Sequence, residues 1–244
     1  MSTILNISAY RFVALPDAAE LRPRFEQSAA AAGLKGTVLL AEEGINLFLA
    51  GIAADLRRWL AWLHEDPRFA GLVAKESWSD AVPFGKLLVK HKREIIRMNH
   101  PAIRPQQGRA PAVDAPTLAR WLDAGHDDAG RPVVLLDTRN RFEVEQGRFV
   151  DAVDLQTSRF SELPDAALSR RAEFAGKTVV SYCTGGIRCE KAALFLAEAG
   201  FDNVLQLDGG ILAYFEQVGG RHFEGECFVF DQRIALDPHL QVAA

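Results

Sequence analysis

Residues 177–193 read Lys177-Thr178-Val179-Val180-Ser181-Tyr182-Cys183-Thr184-Gly185-Gly186-Ile187-Arg188-Cys189-Glu190-Lys191-Ala192-Ala193, and this stretch decides the fold of the second half of the chain. An apolar, β-branched run ends on a cysteine and two glycines permit a tight turn. A helical pattern follows at once, with Ala192, Ala193, Leu196 and Ala197 on one side. The spacing predicts strand, loop and helix with a thiol at the hinge. Backbone N–H groups at a helix start have no partner within the helix and can converge into a cup of partial positive charge. Such a cup, with Arg188 close by, favours thiolate over thiol and makes Cys183 the candidate nucleophile.

In Cys-x5-Arg phosphatase loops the arginine stands six positions after the cysteine, whereas Arg188 stands five after Cys183 and position 189 is a second cysteine. The shorter ring suits sulfur chemistry. Cys183-Thr184-Gly185-Gly186-Ile187-Arg188 resembles the six-residue active loop of rhodanese domains, in which the cysteine carries a persulfide. The competing reading is a structural cysteine buried beside a glycine turn.

Outward from this loop, Asp114 is placed to cap a helix that runs to Ala124 and stops at Gly125. Val133-Val134-Leu135-Leu136 then leads into Asp137-Thr138-Arg139, and Val204 to Leu207 has the same form. Apolar runs ending in polar residues are expected of buried parallel strands whose C-terminal ends meet at one rim. Asp137 and Arg139 either reach the Cys183 loop or pair with each other and nearby loops. Asp208-Gly209-Gly210-Ile211 repeats the tight turn into a helix, and Glu224 to Asp231 reads as a short terminal strand or arm with Cys227 as packing. The sequence lacks a Cys-x2-Cys pair or closely spaced histidines, so no metal site is expected.

The first half runs in the order βαββαβ. Strands are predicted over Ile4 to Phe12, Gly36 to Ala41, Ile45 to Ala50 and Val73 to Trp78, and helices from Pro16-Asp17 to Ala32 and from Ile52 to Leu63. This pattern predicts a ferredoxin-like unit, a small antiparallel sheet with both helices on one face. Trp59 falls on the apolar stripe and is assigned to the core. Trp62 could stack on a base, and Asn46 is either a site residue or a satisfied turn asparagine.

Between Lys86 and Arg109, seven basic residues (Lys86, Lys90, Lys92, Arg93, Arg97, Arg104 and Arg109) face the single acid Glu94. The whole chain of 244 residues carries a net charge of −4, so it is not a generally basic nucleic-acid binder. The local reversal suits a polyanion held by its phosphates, or a lysine-protected edge strand. Pro101, Pro105, Pro111 and Pro116 mark a linker. Three cysteines without framework spacing point to reduced thiols, and no run approaches a membrane span or a secretion signal, so a cytoplasmic protein is expected.

Residues 113–223 resemble a rhodanese domain through Asp137-Thr138-Arg139-Asn140, Glu143, Glu145, Gly147, Ala152-Val153, the Cys183 loop and Leu207-Asp208-Gly209-Gly210-Ile211. Four segments extend the likeness across almost the whole chain: Lys35 to Asn46, Lys90 to Met98, Cys183 to Lys191, and Gly225 to Asp231. Together they resemble the bacterial tRNA uridine hydroxylase family, apart from Leu47-Phe48-Leu49, where that family usually has smaller and more polar residues. The chain also stops soon after the Cys227 segment, without the cysteine-bearing extension of longer members. The resemblance implies a ferredoxin-like or acylphosphatase-like domain (1–98), a linker (99–112), a rhodanese domain with a parallel sheet (113–223) and a C-terminal arm (224–244). It also implies an oxidoreductase that takes tRNA as substrate and molecular oxygen as cosubstrate, without a cofactor, to form 5-hydroxyuridine at the wobble position. By the resemblance Cys183 would be catalytic and Thr184, Gly185, Gly186, Ile187 and Arg188 its loop; by their local charge Lys86, Lys90, Lys92, Arg93 and Arg97 would be the tRNA contacts. The alternatives are a thiosulfate or persulfide sulfurtransferase that forms a Cys183 persulfide, and a non-catalytic docking module. Cys189 either resolves an oxidised Cys183 or packs as a small hydrophobe.

Overall fold

The computed structural model describes residues 3–242, which divide into two units. One comprises the residues up to Arg97 together with Phe230–Arg233, the other Met98–Val229 and the residues from Ile234 onward.

The first unit contains β1 (Ile4–Phe12), α1 (Ala18–Ala31), β2 (Lys35–Ala41), β3 (Gly44–Ile52), α2 (Ala53–His64), β4 (Lys75–Ser79) and β5 (Leu87–His91). Its sheet has the order β4-β1-β3-β2-β5. β1 pairs antiparallel with β3 and β4, and β2 antiparallel with β3. The expected all-antiparallel sheet is corrected at one edge, where β5 joins β2 in parallel. Period-two patterning puts Leu5, Ile7 and Ala9 of β1 into one core with Leu21, Phe25 and Ala29 of α1 and Leu56, Trp59 and Leu63 of α2. Both helices therefore share a face of the sheet. Phe25 and Trp59 meet edge to face with centroids 6.1 Å apart, and the Trp59 indole N–H donates to Ser28 Oγ at 3.1 Å. Trp62 packs half-buried against the same core beneath the Arg24 guanidinium, which lies 5.3 Å from its ring. Asn46 lies within β3 rather than in a turn, and its buried amide donates to the Ile95 carbonyl.

The second unit contains β6 (Ala112–Val113), α3 (Ala115–Ala124), β7 (Val133–Asp137), α4 (Arg141–Val144), β8 (Gly147–Phe149), β9 (Val153–Asp154), α5 (Leu163–Ser169), β10 (Thr178–Tyr182), α6 (Ile187–Glu198), β11 (Val204–Leu207), α7 (Gly210–Val218), β12 (Phe223–Gly225), β13 (Cys227–Phe228) and β14 (Ala235–Leu236). The sheet order is β6-β11-β10-β7-β9, parallel throughout. The three strands legible in the sequence form its centre, flanked by the two-residue strands β6 and β9. Ala112 and Val113 belong to this sheet, so the proline-rich stretch joins the second unit before position 113. Asp114 caps α3 by accepting the Thr117 N–H at 2.7 Å, and Gly125 ends it in a left-handed conformation (φ 75°). In the terminal stretch, β12 pairs antiparallel with β8 and β13 with β14.

Candidate active site

All five residues of β10 are buried, and the strand delivers Cys183 directly to the N-terminus of α6. Gly186, at φ 102°, lets the backbone reverse into the helix. Its N–H donates to Cys183 Sγ at 3.1 Å, and the backbone N–H groups of Arg188 and Cys189 also favour the charged sulfur. The loop carbonyls are taken up elsewhere. Ile211 N–H donates to the Cys183 carbonyl at 2.9 Å and Leu212 N–H to that of Thr184 at 3.1 Å, so the start of α7 turns the loop's acceptors away from the sulfur. Gly210 allows this close approach: at φ 67° a Cβ there would stand 2.4 Å from the Cys183 carbonyl oxygen.

The side chains around the loop are charged, buried and paired. Arg188 donates through both terminal nitrogens to Glu143 of α4, at 2.5 and 2.6 Å. Arg139 donates to Asp137 (2.6 Å to Oδ2) and to the Gly147 carbonyl (2.7 Å), which resolves the Asp137–Arg139 alternative in favour of a structural pair. Thr184 Oγ1 donates to the Phe228 carbonyl at 3.3 Å, which ties the loop to β13. Ile187 is buried and Gly185 partly exposed.

Three cysteines sit here in different electrostatic settings. Burial pushes the Cys183 thiol up, but a hydrogen bond from the Cys189 thiol, the Arg188 charge and the loop amides outweigh it, and its pKa lies well below the ordinary thiol value. Burial and the neighbouring Cys183 sulfur push Cys189 well above that value. Burial also pushes Cys227, which has a side-chain hydrogen bond with Thr184, up to about 12. Among the described residues, no group of three or more His, Cys, Asp or Glu side chains is arranged to hold a metal ion.

In the first unit, Lys86, Lys90, Lys92, Arg93 and Arg97 are all exposed, with Lys90 on the edge strand β5. The basic run divides between the units. Arg109, in the second, is tied to Asp208 at 2.6 Å and to Glu190 at 3.6 Å.

Residues 4–95 match the family described as UPF0176 acylphosphatase like domain, and residues 117–217 match the rhodanese-like domain. A protein of Variovorax paradoxus named tRNA uridine(34) hydroxylase is 62% identical over 244 residues, covering 100% of this chain and 93% of its own. One of Bordetella avium with the same name is 60% identical over 239 residues, covering 98% and 99%. The chain belongs to the tRNA uridine(34) hydroxylase family. Among solved structures, the rhodanese-like domain of an Anabaena protein is similar, at 25% identity and TM-score 0.37, over 47% of this chain and 79% of that one.

In this member of the hydroxylase family the candidate nucleophile is covered, because Cys183 is 0% exposed, as the competing reading of a buried cysteine expects. The covering is polar rather than hydrocarbon alone, since an N–H, a thiol and a guanidinium act on the sulfur. The sequence names Glu143 only as part of the rhodanese likeness; its pairing with Arg188, 45 positions away, is a contact that no local pattern reports. Phe142, next to it, stands partly exposed with its ring edge-on to Phe228 at 5.2 Å.

Proposed function

We propose that this protein is a cytoplasmic oxidoreductase that hydroxylates C5 of the wobble uridine of tRNA, with molecular oxygen as cosubstrate and without a further cofactor. The single observation that carries this reading is the shared name of relatives near 60% identity along the whole chain. The site chemistry agrees with it. Cys183 is the catalytic residue, and the amides at the start of α6 hold it as a thiolate. Thr184, Gly185, Gly186 and Ile187 form the loop that aims those amides, and Arg188 adds charge while Glu143 fixes its direction. The exposed Lys86, Lys90, Lys92, Arg93 and Arg97 suit phosphate contacts that hold the RNA without reading its sequence. The target base leaves the stack of the anticodon loop to react, and Cys183 becomes uncovered for the reaction.

Mass spectrometry of digested tRNA from a deletion strain tests the reading. Wild-type protein restores 5-hydroxyuridine and Cys183→Ser does not; an unchanged level in the uncomplemented deletion strain refutes it. The amide cup also suits a persulfide on Cys183, which supports sulfur transfer as the second reading. Cyanide-dependent thiocyanate release from thiosulfate at rates matching hydroxylation would favour it.

A further inference from the structure

Gly186 touches two sulfurs at once. Its N–H donates to Cys183 Sγ at 3.1 Å and its carbonyl accepts from Cys189 Sγ at 2.9 Å. The two cysteines, six positions apart, are thereby brought to one residue by the turn into α6, and the Cys183 charge acts on the Cys189 thiol. Both are free thiols and wholly buried. A cysteine that merely filled space in α6 would not need to face the reactive sulfur. The ionisation is divided between them, the thiolate resting on Cys183 and the proton on Cys189, so Cys183 is the sulfur that reacts first and Cys189 gives up its proton as it closes onto it.

Hydroxylation of a C–H bond by dioxygen consumes four electrons, two from the C–H bond and two from a reductant. We propose that Cys183 and Cys189 are that reductant: a dithiol built into the loop that closes to a disulfide once per hydroxylation. The proposal rests on the hydroxylase reading. In the net step the uridine C5–H and the O–O bond break, a C5–O–H bond and one water form, the two sulfurs lose two electrons and the Cys189 proton to form the S–S bond, and solvent supplies the second proton that the water needs. One oxygen atom enters the base and the other leaves as water. An external thiol then reduces the disulfide for the next turnover. Cys189 is thus a second redox residue of the site. Cys227, whose side chain bonds with Thr184, has no part in the exchange.

The test uses the full chain, reduced and then freed of reductant under inert gas. It is mixed with unmodified tRNA in air, quenched in denaturant with iodoacetamide and digested with trypsin. Cleavage after Lys177, Arg188 and Lys191 puts the two cysteines in separate peptides, so a disulfide appears as a cross-linked pair. Expected are at most one 5-hydroxyuridine per chain, an equal yield of the Cys183–Cys189 link, and many turnovers when dithiothreitol is present. Cys189→Ala is expected to give no product while Cys227→Ala turns over. Product formed with both thiols still alkylated, or wild-type turnover by Cys189→Ala, overturns the proposal. The stoichiometry needs no variant, so a folding defect in Cys189→Ala does not blunt the test. A parallel arm with diamide and no tRNA is expected to close the same link, and a pair left reduced there also overturns the dithiol. Absence of 5-hydroxyuridine from wild type with tRNA, air and dithiothreitol ends the hydroxylase reading instead, while the diamide arm still decides whether the sulfurs can join.

Discussion

Arg188 lays both terminal nitrogens of its guanidinium on the carboxylate of Glu143, at 2.5 and 2.6 Å, and both side chains are buried. The fork joins the first turn of α6 to α4, so the arginine beside the sulfur is held from outside the loop. Removing one charge strands the other in a low-dielectric setting. Glu143→Gln should therefore cost about 3–5 kcal/mol of stability, read by urea denaturation with an unchanged slope. A loss below about 1 kcal/mol would place the pair with ordinary surface bridges.

Gly210 adopts φ 67° and its missing side chain leaves room for the Cys183 and Thr184 carbonyls. Gly210→Ala meets a left-handed backbone worth about 1–3 kcal/mol and an overlap with backbone atoms that cannot move aside. The variant should fold with a lowered melting temperature and lose hydroxylation more than stability, because the overlap falls on the loop. Full activity would mean that α7 does not set the loop's shape.

The lowered Cys183 pKa predicts a distinctive pH profile. An ordinary thiol ionises near pH 8.5, so its alkylation rate rises about tenfold per unit below that. Cys183 is already thiolate there, and its labelling by a small neutral electrophile should stay flat between about pH 7 and 8 as the covered sulfur opens. Peptide mapping separates it from Cys189 and Cys227, whose raised values leave them protonated and slow. A tenfold rise for Cys183 would show that the amides do not hold the charge.

Lys90, Lys92, Arg93 and Arg97 are exposed, so replacing all four by alanine should leave the melting temperature within a degree or two. Binding of tRNA should weaken, and the log–log dependence on salt should flatten by as much as about 3 if each residue meets a phosphate. An unchanged slope would move the RNA contacts elsewhere.

Much of this architecture is legible in the sequence because its signals are local. Val179-Val180 and Val133 to Leu136 declare buried strands, Asp114 and Gly125 bracket a helix, and the paired glycines before Ile187 and Ile211 mark the two helix starts. β5 is the lysine-bearing edge strand that the basic run allows, but its parallel pairing with β2 is a long-range contact that no local pattern reports. β6, β9, β13 and β14, at two residues each, are too short to carry a period. The site divides the same way. Cys183 and its amides follow from spacing along the chain, whereas the Glu143 fork and the depth at which the sulfur lies depend on residues distant in sequence.

The donors on the sulfur come from the start of one helix, and the loop's acceptors are satisfied by the start of another. The acceptors stay satisfied whatever side chain stands at position 183, whereas the Gly186 N–H has the sulfur as its partner and is left unmet by a side chain without an acceptor. The scaffold is thus a mould finished only by its filling, half of it closed beforehand and half completed by the sulfur.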